Sequence, residues 1–305
     1  MNSSGRRFYL TDVFGLNKYS GNQLATFIDC DNLTTVEMQQ IAREINFSET
    51  TFVQIDAGNP DRFDVRIFTP AAEVPFAGHP VLGTAWVIRE KILRSQVEKL
   101  TLNLGVGAIE VRFVDDPDQT HNLIWMKQVA ATFGQRIDTK NCVKSAEIAA
   151  ALGLTPTDID PQFPIMEIST GFPHWVVPLR DLKALQKIRV DRNAELTWVE
   201  STWAKNILVF APTTERPGQV LAVRVFAGYF DIAEDAATGS GNGALAAYLE
   251  HTRYFGEDAV DITTGQGYEM GRPSELHLRA ITLDQLIIVE VGGHVVGIAE
   301  GFWSY

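Results

Sequence analysis

Three separate blocks of this 305-residue chain occur twice, in the same order and at nearly one spacing. Val65-Arg66-Ile67-Phe68 returns as Val223-Arg224-Val225-Phe226, 158 positions later. PFAGHPVLGTAWVIRE, which contains Gly78 and His79, aligns with AATGSGNGALAAYLEH, placing Gly78 on Gly239 and His79 on Ser240 at an offset of 161. Gly105 and Gly107 then fall on Gly265 and Gly267 at an offset of 160. Three ordered matches at one spacing indicate an internal duplication, so the chain has to solve the same folding problem twice. The expectation is two pseudo-symmetric domains, 1–128 and 129–305, with the last strand, around Val295 to Phe302, able to pack back on the first. A length of about 150 residues per domain is ordinary.

Local patterns suggest what each half contains. Phe8 to Phe14, Ala25 to Ile28, Thr51 to Ile55, Phe63 to Phe68 and Pro173 to Leu179 are rich in aromatic and β-branched residues and read as strands, with a turn at Gly21-Asn22. Thr34 to Glu44 reads as an amphipathic helix, with Thr35 as N-cap and Met38 and Ile41 buried. Ala146 to Leu152 reads as a short surface helix. Pro80 suits the first turn of a helix continuing through Val81 to Glu90, and that helix is apolar on nearly every side, which predicts burial all round. The same holds for Ala244 to Leu249. The run Thr238 to Gly243 is dominated by glycine and hydroxyl residues, poor helix formers, and reads as a loop that opens the second helix. The fold class that results is α/β (α+β): in each half, a mostly antiparallel sheet wrapped round one central helix.

Composition excludes several partners. A formal net charge of −12 gives no basic footprint for nucleic acid or an anionic membrane. No run of eighteen apolar residues occurs and the N-terminal stretch has no apolar core, so a cytoplasmic protein is expected. Two cysteines, Cys30 and Cys142, are too few for a disulfide framework, and the six histidines show no His-x-x-x-His or His-Glu-x-x-His spacing. A dedicated metal site is therefore not expected.

The candidate chemistry gathers at the two helix mouths. Uncapped N–H groups and the positive end of the helix dipole make Gly78 and Gly239 natural cradles for an anion. Glu49 lies between a helix and a strand, and a carboxylate beside Phe47, Phe52 and the apolar central helix would lose solvation and gain a pKa suited to general acid–base work. His79 stands at the first mouth and Ser240 at the second. Asp235, beside Glu234, either braces the glycine-rich stretch or orients a histidine. Glu49, His79, Asp235 and Ser240 are expected to line one cleft between the domains, the usual place for a small ligand.

GNQLATF at 21–27, NFSETTFV at 46–53, FTPAAEVPFAGHPVLGTA at 68–85, EDAATGSGNGALAAYL at 234–249 and GQGYEMGRPS at 265–274 together resemble the PhzF-like family, over nearly the whole chain. The resemblance implies the diaminopimelate epimerase-type fold. It also implies a cofactor-independent isomerase in which one glutamate moves a proton between two carbons of a small carboxylate-bearing molecule, in the family's phenazine enzyme a cyclic hydroxylated dihydroanthranilate. The SET motif assigns that glutamate to Glu49. GHP assigns His79, and ED-ATGS assigns Asp235 and Ser240, to binding and polarising the substrate, with Asn22, Gly78 and Gly239 among the substrate contacts. A homodimer is a further implication. Gln23 stands where the family's GNP motif has proline, and Gly241-Asn242-Gly243 departs from the phenazine enzyme's spacing. Both bear on the substrate more than on the reaction type.

Two rival readings stay open on the sequence. A non-catalytic small-anion-binding protein would use the same mouths without proton transfer by Glu49. A serine hydrolase would draw on His79, Asp235 and Ser240. The nucleophile elbow G-x-S-x-G needs glycines where Thr238 and Asn242 stand. Racemisation by two thiols would need cysteines at the mouths, which hold His79 and Ser240.

Overall fold

The computed structural model of the chain describes residues 5–55, 62–115, 122–139, 143–212, 218–257 and 259–304. Cys142 lies outside the described residues. The chain divides into two compact units, Met1–Lys127 with Gly292–Tyr305, and Gln128–Val291.

The first unit runs β1 (Arg6–Val13), β2 (Asn22–Phe27), α1 (Thr35–Ile45), β3 (Glu49–Ile55), β4 (Phe63–Phe68), β5 (Glu73–Val74), α2 (Gly78–Val87), β6 (Lys99–Leu104), β7 (Gly107–Val114) and β8 (Leu123–Lys127). The second runs β9 (Thr132–Ile137), α3 (Val143–Ala151), β10 (Ile165–Ser169), β11 (Pro173–Pro178), α4 (Leu182–Gln186), α5 (Arg192–Glu200), β12 (Asn206–Ala211), β13 (Leu221–Ala227), β14 (Ile232–Asp235), α6 (Gly239–His251), β15 (Ala259–Gln266), β16 (Ser274–Leu283) and β17 (Leu286–Gly293). The chain ends in β18 (Val295–Trp303), which pairs antiparallel with β1 in the first unit.

Strand pairing follows one pattern in both units. In the first, β18, β1 and β2 are antiparallel neighbours, β2 is parallel to β3, β3 antiparallel to β4, β4 parallel to β6, and β6 antiparallel to β7. In the second, β9, β10, β11, β12, β13, β15 and β16 repeat that sequence of directions. The central helices are buried as their all-round apolar character predicts: in α2 every residue but Trp86 is buried, and in α6 every residue but His251.

The duplication reaches side chains. Arg66 grips Glu73 through Nε and Nη2 at 2.7 and 2.6 Å, and Arg224 grips Glu234 through the same atoms at 2.8 Å each. Each guanidinium also lies over the phenylalanine two residues on, Phe68 at 5.2 Å and Phe226 at 5.0 Å. The bidentate pair ties the strand to the segment leading into the central helix, which fixes where that helix starts.

Several local expectations need correction. The glycine-rich stretch is not a loop: α6 already begins at Gly239, with Thr238 in the extended N-cap conformation. Tertiary packing overrides propensity there, because a Cβ on Gly243 would stand 1.8 Å from Gln128 Oε1, so the glycine serves close approach rather than a turn. The N-cap of α1 is Thr34, whose side chain accepts from the Glu37 N–H while Glu37 reaches back to the Thr34 N–H. The helix around 146–152 lies on the surface as expected, with Val143, Lys144, Glu147 and Ala150 exposed and Ile148, Ala149 and Leu152 buried in the core of the second unit. After Val87, α2 widens into a π-turn over Ile88–Leu93 instead of continuing as α-helix.

Candidate active site

In the first unit the site forms where β2, β3 and α2 meet. Gly21 takes φ +70 in the turn before β2, and a Cβ there would lie 2.3 Å from the Val13 carbonyl oxygen, so only glycine allows the turn that sets Asn22 at the head of the strand. The α2 helix has Ala77 as an extended N-cap, and no side chain caps its leading N–H groups. Such a terminus favours a negatively charged ligand. Three hydroxyls in a row, Thr84 to Thr51 at 2.8 Å and Thr51 to Thr26 at 3.0 Å, tie α2 to β3 and β2. They are fully buried, and they fix the rotation of the helix.

His79, the second residue of α2, sits between two polar partners. Asn22 Nδ2 is 3.2 Å from Nδ1, and Glu49 Oε2 is 3.5 Å from Nε2. Burial pushes the imidazole down to about 3, with a backbone hydrogen bond to Gln23 pulling the other way. His79 is therefore neutral near pH 7, and its contact with Glu49 is not an ion pair. Glu49 keeps a side chain 15% exposed, enough to reach a ligand.

The surroundings of Glu49 differ from those read in the sequence. It is the first residue of β3, and strand alternation puts Glu49 and Thr51 on the face that meets α2. Phe52 points the other way, into an apolar cluster with Met38, Ile41, Phe27 and Phe68, against which Phe47 packs. Of the neighbours expected for Glu49, the central helix is the one beside it, at His79, while the phenylalanines face away.

The second unit builds its own mouth at α6, again with no side-chain cap on the leading N–H groups. Asp235 Oδ2 accepts from Thr238 Oγ1 at 2.6 Å. Gln266 donates to the Asp235 carbonyl and to Thr238 Oγ1, and accepts from the Thr238 N–H and from Asn242 Nδ2, all within 2.8–3.1 Å. These contacts tie Asp235 to Thr238 and Gln266 at the start of α6. Glu234 is occupied by Arg224. Asn242 is fully buried in this network and also accepts from Thr264 Oγ1 at 2.8 Å.

Two residues of this mouth escaped the sequence reading. His174, on β11, is fully buried with Nε2 3.2 Å from Ser240 Oγ, and burial pushes it too down to about 3. Its stretch reads only as a strand; the available signal is one histidine inside an otherwise apolar run. The other is Asn206. Thr50 pairs with Phe68 in one unit and Ile207 with Phe226 in the other, so the duplicated phenylalanines make Asn206 the counterpart of Glu49. Only the first unit carries a carboxylate there. The imidazole that meets Ser240 is His174, and its Nδ1 has no hydrogen-bond partner among the described residues, so no acid stands behind it as one does in a catalytic triad.

Residues 11–301 match the family model described as phenazine biosynthesis-like protein, PhzC-PhzF, and the chain belongs to that family. It is 34% identical over 299 residues to the trans-2,3-dihydro-3-hydroxyanthranilate isomerase of Pseudomonas aeruginosa, covering 97% of this chain and 98% of that one. It is 32% identical over 302 residues to an uncharacterized isomerase of Mesorhizobium japonicum, with coverage of 97% and 98%. The crystal structure of a Bacillus anthracis phenazine biosynthesis protein of the PhzF family has the same fold, at a TM-score of 0.88 and 24% identity over 99% of this chain and all of that one. The chain is thus an isomerase by family. Among the described residues no helix is long and apolar enough to cross a membrane.

Proposed function

We propose that the protein is a cofactor-independent isomerase that moves a proton between two carbons of a small carboxylate-bearing molecule, with Glu49 as the sole proton carrier. The observation that carries this reading is the 3.5 Å approach of a neutral His79 to the Glu49 carboxylate beside an uncapped helix start. Glu49 as carboxylate takes a proton from one carbon, becomes a carboxylic acid, and returns that proton to a second carbon on the same face. The electron pair left at the first carbon passes through the substrate's π-system to the second, so no oxidant is needed. Neutral His79 stands beside Glu49 without competing for the proton, and Asn22 holds its ring. The start of α2 at Gly78 and the start of α6 at Gly239 and Ser240 each offer donors suited to an anionic group, and Asp235 stands at the second of these. Asn206 in the place of a second carboxylate fits a one-base rather than a two-base reaction.

The relatives named for it make trans-2,3-dihydro-3-hydroxyanthranilate the first substrate to offer. Glu49→Gln keeps shape and most hydrogen bonding but cannot carry the proton, so turnover falls by at least about a hundredfold while binding survives. Full activity in that variant would refute the mechanism.

A further inference from the structure

The His174–Ser240 contact has no counterpart in the other unit. His174 pairs with Asn206 in the parallel ladder of β11 and β12, and the corresponding partner of Glu49 is Leu24, an apolar residue. The first mouth thus has its histidine on the helix, at His79. The second has a serine on the helix and brings its histidine from the strand beneath.

Ser240 Oγ lies 3.2 Å from Nε2 of a fully buried ring whose Nδ1 has no partner among the described residues. A neutral imidazole has one N–H and one bare nitrogen. A buried N–H left without an acceptor is rarer than a buried acceptor left without a donor. That preference places the proton on Nε2, where it has the serine oxygen to meet, and leaves the lone pair on Nδ1. Ser240 Oγ then accepts from the histidine, and its own hydroxyl proton is left to donate elsewhere. The opposite tautomer would use up the serine proton on Nε2 and bury an orphan N–H at Nδ1.

We propose that His174 is a positioning residue that fixes Ser240 as a hydrogen-bond donor, toward a carboxylate oxygen of a small aromatic-like acid held at the start of α6. This rests on the reading of Ser240 as a substrate contact given above. The uncapped N–H groups of α6 and the Ser240 hydroxyl then form one set of donors, and such a set discriminates for an anion over a neutral amide of the same shape.

Two measurements test it, one of them independent of any ligand. Long-range ¹H–¹⁵N correlation spectra of histidine-labelled protein are expected to show His174 as the Nε2–H tautomer, unchanged between pH 5.5 and 8. An Nδ1–H tautomer, or titration in that range, overturns the proposal whatever the protein catalyses. The second uses anthranilate as probe. Gln places its Nε2 where the histidine has Nε2, whereas Phe keeps the ring's volume and loses the donor. The dissociation constant for anthranilate is expected to rise about tenfold in His174→Phe and to stay within about threefold of wild type in His174→Gln. Equal losses in both, or tighter binding in His174→Phe, make His174 a packing residue only and overturn the proposal. If wild type shows the Nε2–H tautomer but binds neither anthranilate nor anthranilamide, the substrate class assigned to this mouth is what falls. If it binds anthranilamide as tightly as anthranilate, the proposal falls.

Discussion

The Glu49 carboxylate and the His79 imidazole stand 3.5 Å apart, and the histidine is held neutral by burial rather than charged by its acidic neighbour. Burial outweighs attraction here because the ring is enclosed on α2 while Glu49 remains partly open to solvent. A charged histidine would compete with Glu49 for protons and weaken it as a base. A neutral one leaves the carboxylate able to cycle. His174 is also held neutral, on a strand instead of a helix, so both mouths carry an uncharged imidazole by different routes.

Both histidines make stability depend on pH in one direction. Their folded pKa values near 3 lie below the unfolded value of 6.5, so the unfolded chain binds more protons and stability is lost as pH falls below about 6.5. Between pH 7 and 5.5 each costs about 1 kcal/mol. Urea unfolding at the two pH values is expected to show a smaller drop in His174→Phe than in wild type, by about that amount. An identical drop would mean that His174 is protonated in the folded protein.

The repeated arginine–glutamate forks differ in exposure, and so should their contributions. Arg224 and Glu234 are 7% and 16% exposed, against 28% and 39% for Arg66 and Glu73. Glu234→Gln leaves a buried guanidinium without its countercharge and is expected to cost about 3 kcal/mol. Glu73→Gln is expected to cost under about 1 kcal/mol, since solvent takes over. Urea midpoints compare them directly; equal losses would contradict the burial argument.

Gly243→Ala would raise helix propensity by about 1 kcal/mol in an open helix. In α6 it is expected to destabilise instead, because the new methyl displaces Gln128, which donates to the Gly239 carbonyl at 2.9 Å and accepts from Thr170. Thermal unfolding of Gly243→Ala beside Gly243→Ala/Gln128→Ala checks this: part of the loss should return in the double variant, where the methyl has room.

Cys30 is buried in the α1-side core and burial pushes its thiol up to about 12, so almost no thiolate forms at neutral pH. Iodoacetamide treatment of the folded protein followed by peptide mass analysis is expected to leave Cys30 unmodified while denatured protein is labelled. Rapid labelling in the folded state would reopen a nucleophilic role.

The sequence by itself determined the duplication, the two central helices and the residue types at their mouths. Those signals are local: a repeat is visible as a repeat, an all-round apolar helix can only be a buried one, and Gly78-His79 or Gly239-Ser240 stand next to each other in the chain. The tertiary structure decided what depends on distant partners. Whether Thr238 to Gly243 coils or stays open turned on Gln128, more than a hundred residues away, whose close approach makes glycine useful inside a helix. Which face of β3 carries Glu49 turned on Thr84 of α2, and so the phenylalanines adjacent in sequence proved to face the opposite core. His174 could not be linked to Ser240, 66 residues on, by any spacing rule, because a parallel ladder and a buried helix bring them together only in three dimensions.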